Sequence, residues 1–298
     1  MRKKLTAVLL AATMLLTSGV TVFADRVDAV IDKPYLALGA DLSPQEQMTV
    51  LSLLGLSDIN VDDYDIISIT NADEHEYLDK YLDASIIGTR ALSSVLVVGK
   101  EDGNGIHVTT KNISYCTEGM YRNALLTAGI EDADITVAGP FSISGTAALV
   151  GAIKAYETMT GEEIDDENLD AANDELVLTG KLVEDIGDSE KAEDLMALVK
   201  QEVAENKLTS AEDIQNVVDQ ACDQLDIQLS EENQKQIAEL MKKIEGLDLD
   251  VDKLKDQAKD LYQKLEDLDF HVDKESVGNF FTRIIDAIVN FFQGLFGK

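Results

Sequence analysis

The sequence predicts an α+β protein: an N-terminal mixed-sheet α/β sandwich followed by an all-α helical bundle. Three observations predict it. Strand-type apolar runs alternate with capped helical patterns up to about residue 160. All three prolines (Pro34, Pro44, Pro140) and seven of the eight tyrosines lie before residue 157. Beyond it, apolar residues recur by threes and fours in a background of Leu, Ala, Glu, Lys, Gln and Asp, the habit of packed amphipathic helices.

Residues 1–24 read as an address. Arg2, Lys3 and Lys4 form a positive start, Leu5 to Leu16 an apolar run of secretory length, and Val22 and Ala24 the small residues before a cleavage site. The expectation is a signal peptide cleaved after Ala24 and a secreted, extracytoplasmic protein. The run is short for a membrane anchor. The remaining organisation is an α+β domain over 25–160, an acidic helical domain over 161–272 and a C-terminal amphipathic helix over 273–298.

Within the first domain, Ser43-Pro44-Gln45-Glu46 starts a helix, with Ser as cap, Pro at the first helical position and Glu three residues on. It should end near Gly55. Asp65 to Thr70 reads as a strand, and Asn71 to Glu74 opens a helix running to about Leu82. Leu92 to Val98 is a buried strand. Glu101 to Gly105 carries Asp-Gly and Asn-Gly, which favour a hairpin turn returning into a strand over 106–111. A helix from Thr117 stops at Gly129, a strand covers 134–138, and Ser144 caps a helix reaching about Met159. From residue 65 the order is β-α-β-β-α-β, the order of the ferredoxin-like sandwich.

In the second domain, Ser189, Ser210 and Ser230 each precede acids in a first helical turn. Ile237, Leu240, Ile244, Leu247, Val251, Leu254, Ala258, Leu261, Leu265 and Leu268 form a seam, broken by Gly246 and the aspartates after it. A helical hairpin in a small bundle is expected rather than a coiled-coil dimer.

The charge excludes whole classes of function. Among 298 residues there are 25 bases and 57 acids, a formal charge of −32, and removal of residues 1–24 takes it to −35. Such a surface repels phosphate backbones, so no nucleic-acid partner is expected. It attracts divalent cations, weakly and without fixed stoichiometry. Two cysteines and three scattered histidines make neither a disulfide framework nor a zinc site. The acids at Asp165, Asp166, Glu167 and Asp170, and at Asp248, Asp250 and Asp252, lack the spacing of a calcium loop. No metal and no cofactor is expected. Cys116 and Cys222 would close a long loop if they paired, and two unpaired thiols are the expectation.

One loop has the makings of a binding site. Gly139-Pro140-Phe141-Ser142-Ile143-Ser144-Gly145-Thr146 joins a strand to a helix N-terminus, where free N–H groups and a positive dipole end meet hydroxyl donors. The candidate residues are Ser142, Ser144, Gly145 and Thr146. A pocket there should be bounded by this loop and the Met120–Ile130 helix. It is no nucleophile elbow, because Ser142 and Thr146 stand where glycines would flank the serine. The second candidate is an interaction surface on the last helix, where Phe280, Phe281, Ile284, Ile288, Phe291, Phe292 and Phe296 share a broad stripe. That stripe suits the bundle core, a protein partner or peripheral attachment to a membrane surface.

Five motifs occur in order: Gly39-Ala40-Asp41-Leu42-Ser43, Asn71-Ala72-Asp73-Glu74, Ile87-Gly88-Thr89-Arg90-Ala91, the run from Met120 to Ile130, and the run from Ser142 to Leu149. In these the chain resembles the domain of unknown function 1002 (DUF1002) family, the YpuA-like exported proteins of Gram-positive bacteria. The resemblance implies export and a cell-envelope setting, and it brings no activity and no functional residues. The resulting expectation is a non-catalytic binding or interaction module for an unknown protein or envelope component. The alternative is a ligand-binding or enzymatic module acting at the Ser142–Thr146 loop.

Overall fold

The computed structural model describes residues 33–257 except 58, 59, 162 and 248. The signal peptide expected over 1–24, the seam from Ala258 to Leu268 and the helix expected over 273–298 lie outside the described residues.

The chain begins with a strand β1 (Tyr35–Gly39), a helix α1 (Pro44–Leu53) and a strand β2 (Asp65–Ile69). Helices α2 (Asn71–Leu78) and the four-residue α3 (Ala84–Ile87) follow, then strands β3 (Ser94–Gly99) and β4 (Ile106–Ile113). Helix α4 (Glu118–Thr127), strand β5 (Ala133–Ile143) and helix α5 (Thr146–Thr160) complete the α+β part. Four helices come next: α6 (Asp166–Ile186), α7 (Ser189–Asn206), α8 (Ala211–Gln224) and α9 (Glu231–Glu245). Residues 251–257 are helical again.

Local chemistry accounts for the helix starts. Ser43 and Glu46 form the reciprocal capping box, with the Glu46 carboxylate accepting from the Ser43 N–H at 2.7 Å. Thr70 and Asp73 repeat the device at α2. Thr117, Ser210 and Ser230 cap α4, α8 and α9 through their hydroxyls, while α7 is capped one residue earlier than expected, by Asp188.

The five strands form one mixed sheet in the order β2-β1-β3-β5-β4. β1 and β2 are parallel, as are β4 and β5, and the central pairs β1–β3 and β3–β5 are antiparallel. This corrects the ferredoxin-like order. The turn exists, since Gly103 and Gly105 adopt φ of 91° and 72°, but β3 and β4 do not pair as a hairpin because β5 lies between them. Burial explains the insertion. β4 alternates covered and wet positions and suits an edge, whereas β5 has no exposed residue before Phe141, with Ala133, Ile135 and Val137 buried on one face and Ala138 on the other, which suits an interior strand. β1, a short apolar run absent from the sequence reading, fills the place beside β3.

The alternation of each strand divides two cores. Tyr35, Ala37, Val95, Val97, Ile135 and Val137 belong to the larger, with α2, α4 and α5. Leu36, Leu38, Leu96 and Ala138 meet α1 on the opposite face. Helix α5 presses closest at Gly151, where an added Cβ would lie 2.8 Å from the Cβ of Ala37.

Helices α6 to α9 form the bundle, whose core takes Ile237, Leu240, Met241 and Ile244 of the seam. The bundle also packs on α4 through α6 and α7, and Ala172 and Leu176 of α6 belong to the sheet's larger core. At that junction Lys200 and Glu175 are both fully buried. The ammonium of Lys200 lies 2.9 Å and 3.0 Å from the two carboxylate oxygens, and it also donates to the Asn123 carbonyl and the Thr127 hydroxyl. Cys116 and Cys222 are buried free thiols, in line with the expectation of two unpaired cysteines.

Candidate functional site

The site is built by an irregularity in β4 and β5. Between Lys111 and Ile113 the ladder shifts register, with Asn112 at φ 59° and its amide donating to the Gly139 carbonyl at 3.1 Å. Gly139 is required at this bulge, because a Cβ there would fall 2.7 Å from Ile143 and 2.8 Å from the Phe141 carbonyl. Such a bulge bends a strand and redirects the side chains beyond it. Here it turns Phe141, Ile143, Ser114 and Tyr115 into the wall of a cleft of about 440 Å³. The opposite wall is Ser85 to Arg90, and Glu74, Ser93 and Thr146 lie at its inner end.

Gly145 closes the corner. It takes the N-cap position of α5 at φ 98°, with no side-chain cap, so Ser144 does not cap the helix as expected. The Ser144 carbonyl accepts from the Cys116 N–H at 2.9 Å, and its hydroxyl lies 3.2 Å from that of Thr146. In the first turn of α5, the Ala148 N–H donates to the Ser93 hydroxyl at 2.9 Å. The α4 helix supports this corner from behind instead of lining the cleft: the Tyr121 hydroxyl donates to the Gly145 carbonyl at 2.6 Å.

The inner end is a polar chain under apolar cover. Glu74 is 1 % exposed. Its carboxyl receives the Thr146 hydroxyl at 2.7 Å and the Asn71 amide at 3.2 Å. Burial raises its pKa above the ordinary value, against the pull of those two hydrogen bonds. Burial also pushes the neighbouring Cys116 thiol up to about 12, so it is a packed thiol and no nucleophile. At the rim, Arg90 Nη2 donates to the Asp41 carbonyl at 2.8 Å and to Glu46 at 2.9 Å. Glu46, held by Ser43 and Arg90, is lowered to about 2.

Of the four residues expected in this loop, Ser144 and Thr146 line the cleft. Gly145 is buried behind it, and Ser142 is exposed outside it. Phe280, Phe281, Ile284, Ile288, Phe291, Phe292 and Phe296 lie outside the described residues. Sequence reasoning missed Glu74, Arg90, Tyr115 and Phe141. Glu74 carried a signal: four residues before Leu78 it stands on the buried side of its helix, an unusual position for an acid. Among the described residues no three His, Cys, Asp or Glu side chains gather to hold a metal, and no helix is long and apolar enough to cross a membrane.

The sequence pattern of the family described as "Protein of unknown function (DUF1002)" matches residues 38–261, a span that includes every residue of the cleft. The chain belongs to the DUF1002 family. A DUF1002 relative, the "Uncharacterized protein YpuA" of Bacillus subtilis (strain 168), is 39% identical over 296 residues, covering 98% of this chain and 100% of the relative. The resemblance read from the five motifs is thus borne out. No solved structure matches the chain.

Proposed function

We propose that this DUF1002 protein is an exported, non-catalytic binding protein of the cell envelope, and that it holds a small polar ligand in the cleft between Ser85–Arg90 and the end of β5. Export rests on the leader-like pattern of residues 1–24. One observation carries the binding role. A bulge that needs Gly139 and a corner that needs Gly145 place Phe141, Ser144 and Thr146 around a concave, mixed polar and apolar surface. Its volume lies in the range of ligand pockets. Neither imidazole nor thiol lines it, and Glu74 is hydrogen-bonded within the wall, which favours binding over acid–base or nucleophilic chemistry.

Screening a library of small polar fragments against the protein by amide NMR tests the binding role. Shifts that cluster on Gly88, Thr89, Tyr115, Ser144 and Thr146 are the expected result. Hits that consistently map elsewhere would remove the cleft from the function. Sequencing of the protein recovered outside the cell should begin at Asp25, and recovery of intact Met1 would refute cleavage.

A further inference from the structure

The cleft's own chemistry narrows the ligand class, and this step rests on the binding role proposed above. Its carboxyl and its guanidinium are both engaged. Glu74 is buried and bonded to Thr146 and Asn71. The guanidinium of Arg90 is turned toward Glu46 and the Asp41 carbonyl at the rim. A ligand phosphate or carboxylate would have to compete with Glu46 for that guanidinium, inside a chain whose formal charge is −32. A ligand ammonium would find a carboxyl that burial biases toward its neutral form. The wall thus favours an uncharged ligand.

Hydroxyls supply most of the remaining polarity. Ser85 and Thr89 stand on one wall, Ser114 and Ser144 on the other. Ser114 donates to the Ile143 carbonyl at 3.1 Å and the Ser144 hydroxyl lies 3.2 Å from that of Thr146, yet a hydroxyl oxygen that donates can still accept, which suits a partner that itself carries many hydroxyls.

Two aromatic rings complete the surface. Phe141 is 49% exposed, one of three large hydrophobic side chains so exposed among the described residues, and it borders the cleft. Tyr115 is held in place from behind. Its hydroxyl lies where a Cβ on Gly180 would come within 2.5 Å, so the glycine of α6 leaves room for that ring. A fixed ring beside an exposed one offers apolar faces at low entropic cost.

We infer that the cleft binds a neutral saccharide, with a C–H face of the sugar on Phe141 and its hydroxyls exchanging hydrogen bonds with the serines and threonines of the two walls. The surface resembles neither an anion cradle nor a purely apolar pocket.

The test titrates the protein with two neutral probes, tri-N-acetylchitotriose and maltotriose, and with inorganic phosphate. Saturation-transfer NMR and amide shifts are the readouts. Saturable binding of at least one sugar is expected, with shifts at Tyr115, Phe141 and Ser144 and little change on raising salt. Phe141→Ala should weaken that binding about tenfold, the scale of one lost ring contact, and Phe141→Tyr should retain it. Amide spectra of both variants verify the fold. The inference is overturned if neither sugar binds, if phosphate is preferred at the cleft, or if Phe141→Ala leaves sugar affinity unchanged. If polar fragments still occupy the cleft while both sugars fail, the binding role stands and only the ligand class falls. If neither fragments nor sugars occupy it, both fall.

Discussion

The Tyr121 hydroxyl donates to the Gly145 carbonyl at 2.6 Å, joining the α4 helix to the corner from which α5 starts. A Cβ on Gly145 would sit 2.6 Å from that same hydroxyl, and the residue is at φ 98°. The corner therefore depends on a glycine for two separate reasons, backbone conformation and space. Gly145→Ala should cost at least about 1–2 kcal/mol from the left-handed backbone alone, with more from displacing Tyr121. Tyr121→Phe keeps the ring and removes the shorter of two hydrogen bonds to the Gly145 carbonyl, which still accepts from the Leu149 N–H at 3.3 Å, for about 0.5–1.5 kcal/mol. Urea unfolding of both variants checks this, and a near-neutral Gly145→Ala would contradict the geometry of the corner.

Removing one member of the buried pair of Lys200 and Glu175 should cost more than removing both. Taking two charges out of water costs nearly as much as their attraction returns, while removing one strands the other. Lys200→Met should therefore destabilise by about 3–5 kcal/mol. The pair Glu175→Leu with Lys200→Met should recover part of that loss, since the Asn123 carbonyl loses the ammonium and the Thr127 hydroxyl loses both the ammonium and the Glu175 carboxylate. A double-mutant cycle in denaturant measures both. Equal losses in the single and double variants would show that packing, not uncompensated charge, dominates the junction.

Acid should stabilise the cleft before it destabilises the rest. Burial raises the Glu74 carboxyl above its ordinary 4.5, so the folded chain binds that proton more tightly than the unfolded one. Its contribution is complete below about 4.5 and is lost as pH rises through the raised value. Asp73, bonded to Lys154 and Thr70, and Glu46 are both lowered to about 2. Their contributions hold above the ordinary carboxylate range and disappear as pH falls toward about 2. Glu74→Gln, which mimics the protonated acid, should match the parent near about pH 4 and exceed it increasingly as pH rises. Melting temperatures of both proteins across that range check the sign. A gap that does not change with pH would mean that Glu74 does not titrate there.

Helix boundaries were the most legible part of the chain, because a capping box writes its chemistry into four adjacent residues. Ser43 with Glu46, Ser210 and Ser230 all start helices in the structure. The sheet order was less legible. Tyr35 to Gly39 is only five residues long, and what makes it a central strand is the pairing partner on either side, a property of distant sequence. The turn at Gly103 and Gly105 was readable, but a turn fixes local direction and not which strand fills the adjacent gap. The same distinction governs the cleft. Ser144 and Thr146 could be read from one loop, whereas Glu74 reaches them from 72 residues away in sequence. Phe141 was overlooked because its exposure depends on the bulge opposite Asn112, which no local pattern announces.

Ala172 and Leu176, on the first helix of the bundle, lie within the packing of the sheet. Packing therefore runs across the compositional border near residue 160. Release of the acidic helices would strip cover from α4, so strands and helices should melt in one transition. Swapping either half for that of a distant relative would require complementary changes at this shared helix.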